Sequence, residues 1–214
     1  MVDQDDPDGL LRWVKIMNKN RGYGGTLNHE TAEDKRTVEL ATATEWRRAA
    51  IAEFSLQLGW PEHNPNDPPD CFVDLAGRRV GVELVKLISQ KHLERAARGE
   101  TPYAGQLFRD IQWSKERFGS EIQNVLQRKG SMYAKNGMQI DVLVICAAEP
   151  WLTSTQAEQW LDELLLAPHE SISNLFLLLD YEPGPPDHAS AASRHWPVFW
   201  IYGDMFRTAG DSTT

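Results

Sequence analysis

The stretch of residues 69–86 constrains the fold of this chain most strongly, because it joins two strand patterns through a short turn. Residues 70–75 and 79–87 are rich in apolar and β-branched side chains, and the Gly77-Arg78 pair between them suits a two-residue turn. We therefore predict an antiparallel β-hairpin. The four prolines among residues 60–69 exclude a helix or a central strand immediately before it.

Alternation of side chains divides the predicted hairpin into an apolar face and a mixed face. The apolar face consists of Val73, Leu75, Val80, Val82 and Leu84. The mixed face carries Asp70 and Glu83, which a Gly77-Arg78 turn makes diagonal neighbours about 7–8 Å apart. Such a pair suits a shared Mg²⁺, which prefers oxygen ligands. Phe72 and Val85 on the same face indicate that it is covered; a polar face open to solvent is the alternative.

The rest of the chain is typical of a single α/β domain. We predict helices over residues 38–58, capped by Thr37, over 105–135, with breaks at Gly119 and Gly130, and over 154–166. We predict buried strands over residues 140–147, 175–181 and 198–202. This order favours a mixed central sheet flanked by helices. The domain would span residues 37–205, between an N-terminal arm at 1–36 and a tail at 206–214.

The distribution of charge is compatible with a nucleic-acid partner, although the net charge of the chain is −9. Residues 78–135 hold 12 basic and 6 acidic side chains, whereas both flanking regions are acidic. A basic middle segment can bind phosphates, and an ordinary solvated surface explains it equally well. The sequence has no apolar run long enough for a membrane span and no export signal, so we predict a cytoplasmic protein.

Other common sites find no support in the sequence. The six histidines are scattered and do not cluster with Cys71 or Cys146, which excludes a zinc motif. No glycine-rich phosphate loop and no nucleophile elbow occurs. The hairpin carboxylates are therefore the strongest functional signal.

The hairpin resembles the PD-(D/E)XK nuclease superfamily. The resemblance rests on Pro69-Asp70, the turn that follows, and the run Val82-Glu83-Leu84-Val85-Lys86. It implies a restriction-endonuclease-like fold with an αβββαβ core. It also implies hydrolysis of DNA phosphodiester bonds with Mg²⁺ (or Mn²⁺), with Asp70 and Glu83 as catalytic metal ligands and a lysine that assists the attacking water.

The lysine departs from the superfamily pattern, because Val85 stands where the motif places it. Lys86 is one residue late, and alternation turns it to the opposite face from Glu83 unless a bulge intervenes. Alternatively a helix supplies the lysine, as in some branches of the superfamily. Lys129 is the preferred candidate, because it lies at helical spacing on the apolar stripe Ile122, Val125, Leu126 and Tyr133.

Two supporting residues complete the expected site. Tyr133, one helical turn after Lys129, could hydrogen-bond the same carboxylates. Glu45, or else Glu53, could supply the extra helix carboxylate of the Holliday-junction-resolvase branch. A plain surface position is the alternative for both acids.

The sequence thus supports three hypotheses. The first is a Mg²⁺-dependent nuclease that acts on DNA, without membrane attachment. The second is a catalytically inactive protein of the same fold that serves as a binding or interaction module. The third is an unrelated α/β protein whose hairpin matches by chance. A homodimer or a protein partner remains open under each of them.

Overall fold

A computed structural model of the chain describes residues 31–98, 100, 105–107, 111–147, 149, 151–180 and 196–204. The predicted tail at 206–214 and residues 1–30 of the predicted arm lie outside them. The helices of the described part are α1 (Ala32–Phe54), α2 (Gln90–Ala97), α3 (Lys115–Lys135) and α4 (Ser154–Glu163). Its strands are β1 (Glu62–His63), β2 (Cys71–Leu75), β3 (Arg78–Leu87), β4 (Ile140–Ala147), β5 (Ile172–Leu179) and β6 (Val198–Tyr202).

The six strands form one mixed sheet in the order β1-β2-β3-β4-β5-β6. Strands β1 to β3 are antiparallel, β3 to β5 are parallel, and β6 is antiparallel to β5. Parallel neighbours need crossover connections, and α3 and α4 lie within them. The predicted α/β class with a mixed sheet flanked by helices is confirmed.

Apolar side chains pack on both faces of the sheet. On one face, α1 contributes Ala43, Trp46, Ala49 and Ala50 to a core that includes Val80, Val142 and Phe176. On the other face, α3 and α4 contribute Phe118, Ile122, Leu126 and Ala157 to a core that includes Val85, Ile145 and Leu177. The central strands β4 and β5 are buried on both faces, which explains their continuous apolar sequences.

The hairpin turn consists of Ala76 and Gly77, not of the predicted Gly77-Arg78. Leu75 pairs with Arg78, which leaves two residues in the turn. Their φ angles are 51° and 86°, and two positive values are the signature of a type I′ turn, which matches the twist of the strands. The Asp74 carboxylate accepts a hydrogen bond from the Gly77 amide at 2.9 Å. The prediction missed the turn because alanine seldom adopts positive φ.

The strand register differs accordingly from the predicted one. Val73 pairs with Val80 and Cys71 with Val82, a shift of two residues along β3. A shift of two residues preserves the face on which every side chain lies, because the side-chain period of a strand is two. The predicted division into two faces therefore holds despite the error in register.

Helix α1 begins earlier than predicted. Its N-cap is Thr31, whose hydroxyl accepts a hydrogen bond from the Asp34 amide at 3.0 Å. Thr37 instead lies within the helix and donates to the Glu33 carbonyl oxygen at 2.9 Å. The last residues assigned to the predicted arm therefore belong to α1. No helix in the described part of the chain combines the length and the apolar character that a membrane crossing requires.

Helix α3, in contrast to α1, begins later than predicted. It starts at Lys115 and not at residue 105, and its N-cap is Ser114. It continues without a break through Gly119 and Gly130. Both glycines are positions of close packing, since a Cβ atom would lie 2.6 Å from Leu164 Cδ1 and 2.2 Å from His169 Cγ, respectively. The glycines let the segment after α4 approach the helix and do not end it.

Candidate metal centre

Two carboxylates from neighbouring strands form the base of the candidate site. Asp70 precedes β2 and lies opposite Glu83 of β3, one pair beyond Cys71 and Val82. Asp70 is 5% exposed and Glu83 is 3% exposed. Asp70 Oδ2 accepts a hydrogen bond from the Leu84 amide at 2.7 Å, which holds the carboxylate against β3. The predicted pair is therefore buried, and the alternative of a polar face open to solvent is wrong.

A third carboxylate, Asp67, comes from the proline-rich loop before β2. Asp67, Asp70 and Glu83 each offer an oxygen atom, and these atoms all lie within 4.8 Å of one another. Two hydrogen bonds from Asn64 fix the loop. Its side-chain Nδ2 donates to the Pro69 carbonyl oxygen at 2.7 Å, and its backbone amide donates to the Asp70 carbonyl oxygen at 3.1 Å. The sequence prediction missed Asp67, whose only signal is its position three residues before Asp70.

The N-terminal half of α1 adds a fourth carboxylate and a lysine. Lys35 Nζ lies 3.1 Å from Glu39 Oε1 and 3.0 Å from Asp67 Oδ2, so it joins α1 to the loop. Glu39 is close enough to Asp70 to raise the pKa of that carboxyl group. A helix carboxylate therefore lies near Asp70, and it is Glu39.

The two residues predicted for that role lie elsewhere on α1. Glu45 is six residues beyond Glu39 and forms an ion pair with Arg48 at 3.8 Å. Glu53 lines a groove beside β6, at the other end of the helix.

The electrostatics of the cluster favour a bound proton or cation. Burial raises the pKa of Asp70 to about 8, and the Glu83 and Glu39 charges act in the same direction. The hydrogen bond from the Leu84 amide opposes them without cancelling them. Carboxylates that share a buried site cannot all remain charged without compensation. A divalent cation is one group that would supply it.

Helix α3 brings a lysine to the same carboxylates. Lys129 Nζ donates to Glu83 Oε1 at 2.7 Å, and the Lys129 side chain is 22% exposed. Tyr133 follows one turn later and is fully buried. Burial and, after it, the neighbouring Glu83 carboxylate raise the pKa of the Tyr133 hydroxyl. The structure therefore brings both predicted helix residues beside Glu83.

Two buried polar atoms at the site have no hydrogen-bond partner among the described residues. They are Glu83 Oε2 and the Tyr133 hydroxyl oxygen. Buried polar groups are almost always paired with protein, with ordered water or with an ion. An unpartnered carboxylate oxygen within a group of three converging carboxylates is suited to coordinate a hard cation such as Mg²⁺. The donor set therefore fits the metal that the resemblance implies.

Lys86 does not reach the carboxylates. Strand β3 pairs with β4 continuously from Val82 to Leu87, so the bulge that would redirect Lys86 is absent from this pairing. Its amine lies 3.1 Å from Asp180 Oδ2, and both side chains are largely buried. Burial is the largest single effect and lowers the pKa of Lys86, but the Asp180 charge, Cys146 and the hydrogen bond to Asp180 together outweigh it, so the pKa is raised. The prediction that a bulge would bring Lys86 to the site is wrong, and strand alternation is the reason.

Comparison of the chain with models of protein families, with curated proteins and with solved structures gave no match.

Proposed function

We propose that this protein is a Mg²⁺-dependent nuclease that hydrolyses phosphodiester bonds of DNA at the cluster of Asp67, Asp70 and Glu83. The observation that carries the proposal is the unpartnered Glu83 Oε2, which is buried among converging carboxylates beside the amine of Lys129. Oxygen ligands in this number suit Mg²⁺, and Mn²⁺ accepts the same ligands.

The order of elements supports the proposal. A helix (α1), three antiparallel strands (β1 to β3), a helix (α3) and a strand parallel to β3 (β4) follow one another. This succession agrees with the αβββαβ core that the resemblance implies, with the short α2 inserted before α3. The carboxylates also lie where the superfamily motif places them, at the start of β2 and within β3.

Each side chain of the site would have a separate role in the reaction. Bound Mg²⁺ would supply a Lewis acid and a water of lowered pKa. Asp70 and Glu83 would hold the ion, and Asp67 would add an oxygen from the loop. Lys129, which keeps Glu83 oriented, would place a positive charge beside the developing charge on the phosphate. Tyr133, which is buried beside Glu83, would help to exclude water from the site.

The second candidate function is an inactive binding module of the same fold. Two observations favour it: the Lys129 amine is already engaged by Glu83, and the protein as a whole is acidic. On this alternative the partly buried Lys129 and the buried Glu83 form an ion pair that stabilises the fold. The alternative predicts that metal binding, if any occurs, is not followed by cleavage.

A cleavage assay tests the proposal. Supercoiled, linear and single-stranded DNA are incubated with the wild-type protein and Mg²⁺ or Mn²⁺, in parallel with Asp70→Asn and Glu83→Gln, which keep the side-chain shape and remove the charge. We expect cleavage by the wild type only with metal, and a loss of at least about 100-fold in each variant. Cleavage that survives both substitutions, or no cleavage of any substrate, would contradict the proposal.

A further inference from the structure

Lys35 occupies a position between two carboxylates that would suit a cation. Its amine lies 3.0 Å from Asp67 Oδ2 and 3.1 Å from Glu39 Oε1, while each acid also belongs to the surroundings of Asp70. Both oxygens lie within ion-pair distance of the amine, so Lys35 places one positive charge between the two carboxylates. Each carboxylate has two oxygens, and Asp67 can thus contact Lys35 with one and a metal ion with the other.

The balance of charges around the site determines how many divalent ions it can neutralise, and Lys35 contributes to that balance. Four carboxylates, Glu39, Asp67, Asp70 and Glu83, would carry four negative charges when ionised. Lys35 and Lys129 offset two of them. The remaining two charges equal those of a single divalent ion. Without Lys35, three negative charges would remain, one more than a single divalent ion neutralises.

We propose that the Lys35 ammonium group takes the place of a second metal ion, so that the centre binds one divalent cation and not two. The inference rests on the proposed metal centre. It adds the stoichiometry and the residue that determines it. The first ion would lie on the Asp70 and Glu83 side, where Glu83 Oε2 is buried without a partner. The second position, between Glu39 and Asp67, is the one that the lysine holds.

Counting bound Mn²⁺ tests this inference. Free Mn²⁺ is measured by electron paramagnetic resonance during titration of the full chain, for the wild type, Lys35→Met and Lys35→Arg. We expect one tightly bound ion in the wild type and in Lys35→Arg, which keeps the charge, and two in Lys35→Met. Adding Glu39→Gln to Lys35→Met removes a ligand of the second position that is not assigned to the first ion, and is expected to restore a stoichiometry of one.

Lys115→Met is the matched control. It removes the same charge from a lysine that pairs with Glu163, far along α3 from Lys129. We expect one ion in this variant. Circular dichroism of each variant checks that it is folded. One ion in Lys35→Met, even if it is bound more tightly, would overturn the inference and leave the proposed function standing. Two ions in the wild type would do the same. A wild type that binds no Mn²⁺ would overturn the inference together with the metal centre itself.

Discussion

Two lysines that are both plausible from the sequence have opposite environments in the structure. Lys129 reaches Glu83 from α3, whereas Lys86 lies on the other face of the sheet and pairs with Asp180. Strand alternation separates Lys86 from Glu83, because the two positions differ by three and an odd difference puts side chains on opposite faces of a strand. A helix that packs across the sheet has no such restriction. The distinction between the lysines leads to separate predictions for activity and for stability.

Substitution of the two lysines by methionine, which keeps the length of the side chain, should separate these roles. We expect Lys129→Met to lower kcat by at least about 100-fold, since it removes a charge next to the reacting phosphate. We expect Lys86→Met to leave kcat within a few-fold, and to lower the free energy of unfolding by about 3 kcal/mol because Asp180 loses its partner. Steady-state kinetics and urea unfolding measure the two effects. A larger loss of kcat in Lys86→Met than in Lys129→Met would refute the assignment.

The pKa of Asp70 predicts how stability depends on pH in the absence of metal. In the folded protein this pKa is about 8, above its ordinary value of 3.8, so the folded state holds a proton that the unfolded state releases. The contribution of this proton to stability is complete below the lower value and is lost as the pH rises towards the higher one. We expect the metal-free protein to become less stable between about pH 5 and pH 8, and Mn²⁺ to bind more tightly over the same range.

Urea unfolding of the metal-free protein at several pH values tests this dependence, with Asp70→Asn as the control. The variant has no proton to lose at this position and should show a weaker decline. Equal declines in the two proteins would show that Asp70 is not the group responsible.

At the scale of elements, the sequence predicted the faces of the hairpin correctly and its turn incorrectly. Periodicity of two determines the faces, and a register error of two residues does not alter them. The turn depends on Ala76 with a positive φ angle, a conformation that alanine rarely adopts and that no local sequence pattern predicts. Asp67 and Glu39 were missed for a related reason, because their approach to Asp70 depends on how a loop and a helix pack. Such long-range contacts leave little trace in one sequence.

The turn offers a direct test of this account. Ala76→Asn places a residue that favours positive φ at the first turn position, next to Gly77, and Asn-Gly is the preferred type I′ pair. We expect the free energy of unfolding to rise by about 0.5–1 kcal/mol. Gly77→Ala should have the opposite effect, because its φ is 86°. Thermal and urea unfolding measure both. A destabilising Ala76→Asn would contradict the turn type.

The glycines of α3 give a second test at this scale. Gly130→Ala should destabilise the protein by about 1–3 kcal/mol, because the new methyl group meets the His169 ring, which also accepts a hydrogen bond from the Ser171 amide. Gly119→Ala should cost less, since it meets the mobile end of the Leu164 side chain and gains helix propensity. Equal effects in urea unfolding would argue against the packing at Gly130.

At the scale of the whole molecule, the proposed function requires an acidic protein to bind a polyanion through a local surface. Arg128 and Lys135 are exposed on α3, one residue before and six residues after Lys129. Part of the positive charge in the segment of residues 78–135 therefore lies on the helix that carries Lys129. Its sign could be predicted from the sequence, whereas its position could not, because that depends on the rotation of α3 against the sheet.

The double variant Arg128→Gln/Lys135→Gln should weaken DNA binding and reduce its dependence on salt. If each side chain neutralises one phosphate, the slope of log affinity against log salt should fall by about 2. Fluorescence anisotropy with labelled DNA measures the slope, in the presence of Ca²⁺ to prevent cleavage. Lys115→Gln, at the other end of α3, should leave it unchanged. An unchanged slope in the double variant would exclude this surface as the DNA contact.

The metal centre itself is tested most directly by anomalous scattering from crystals of the protein that have been soaked in Mn²⁺. The account predicts one strong peak within bonding distance of the Asp70 and Glu83 carboxylates, with Asp67 as a further ligand, and no such peak in Asp70→Asn. A fully exchanged crystal that shows no Mn²⁺ at these residues, or the same peak in Asp70→Asn, would contradict it.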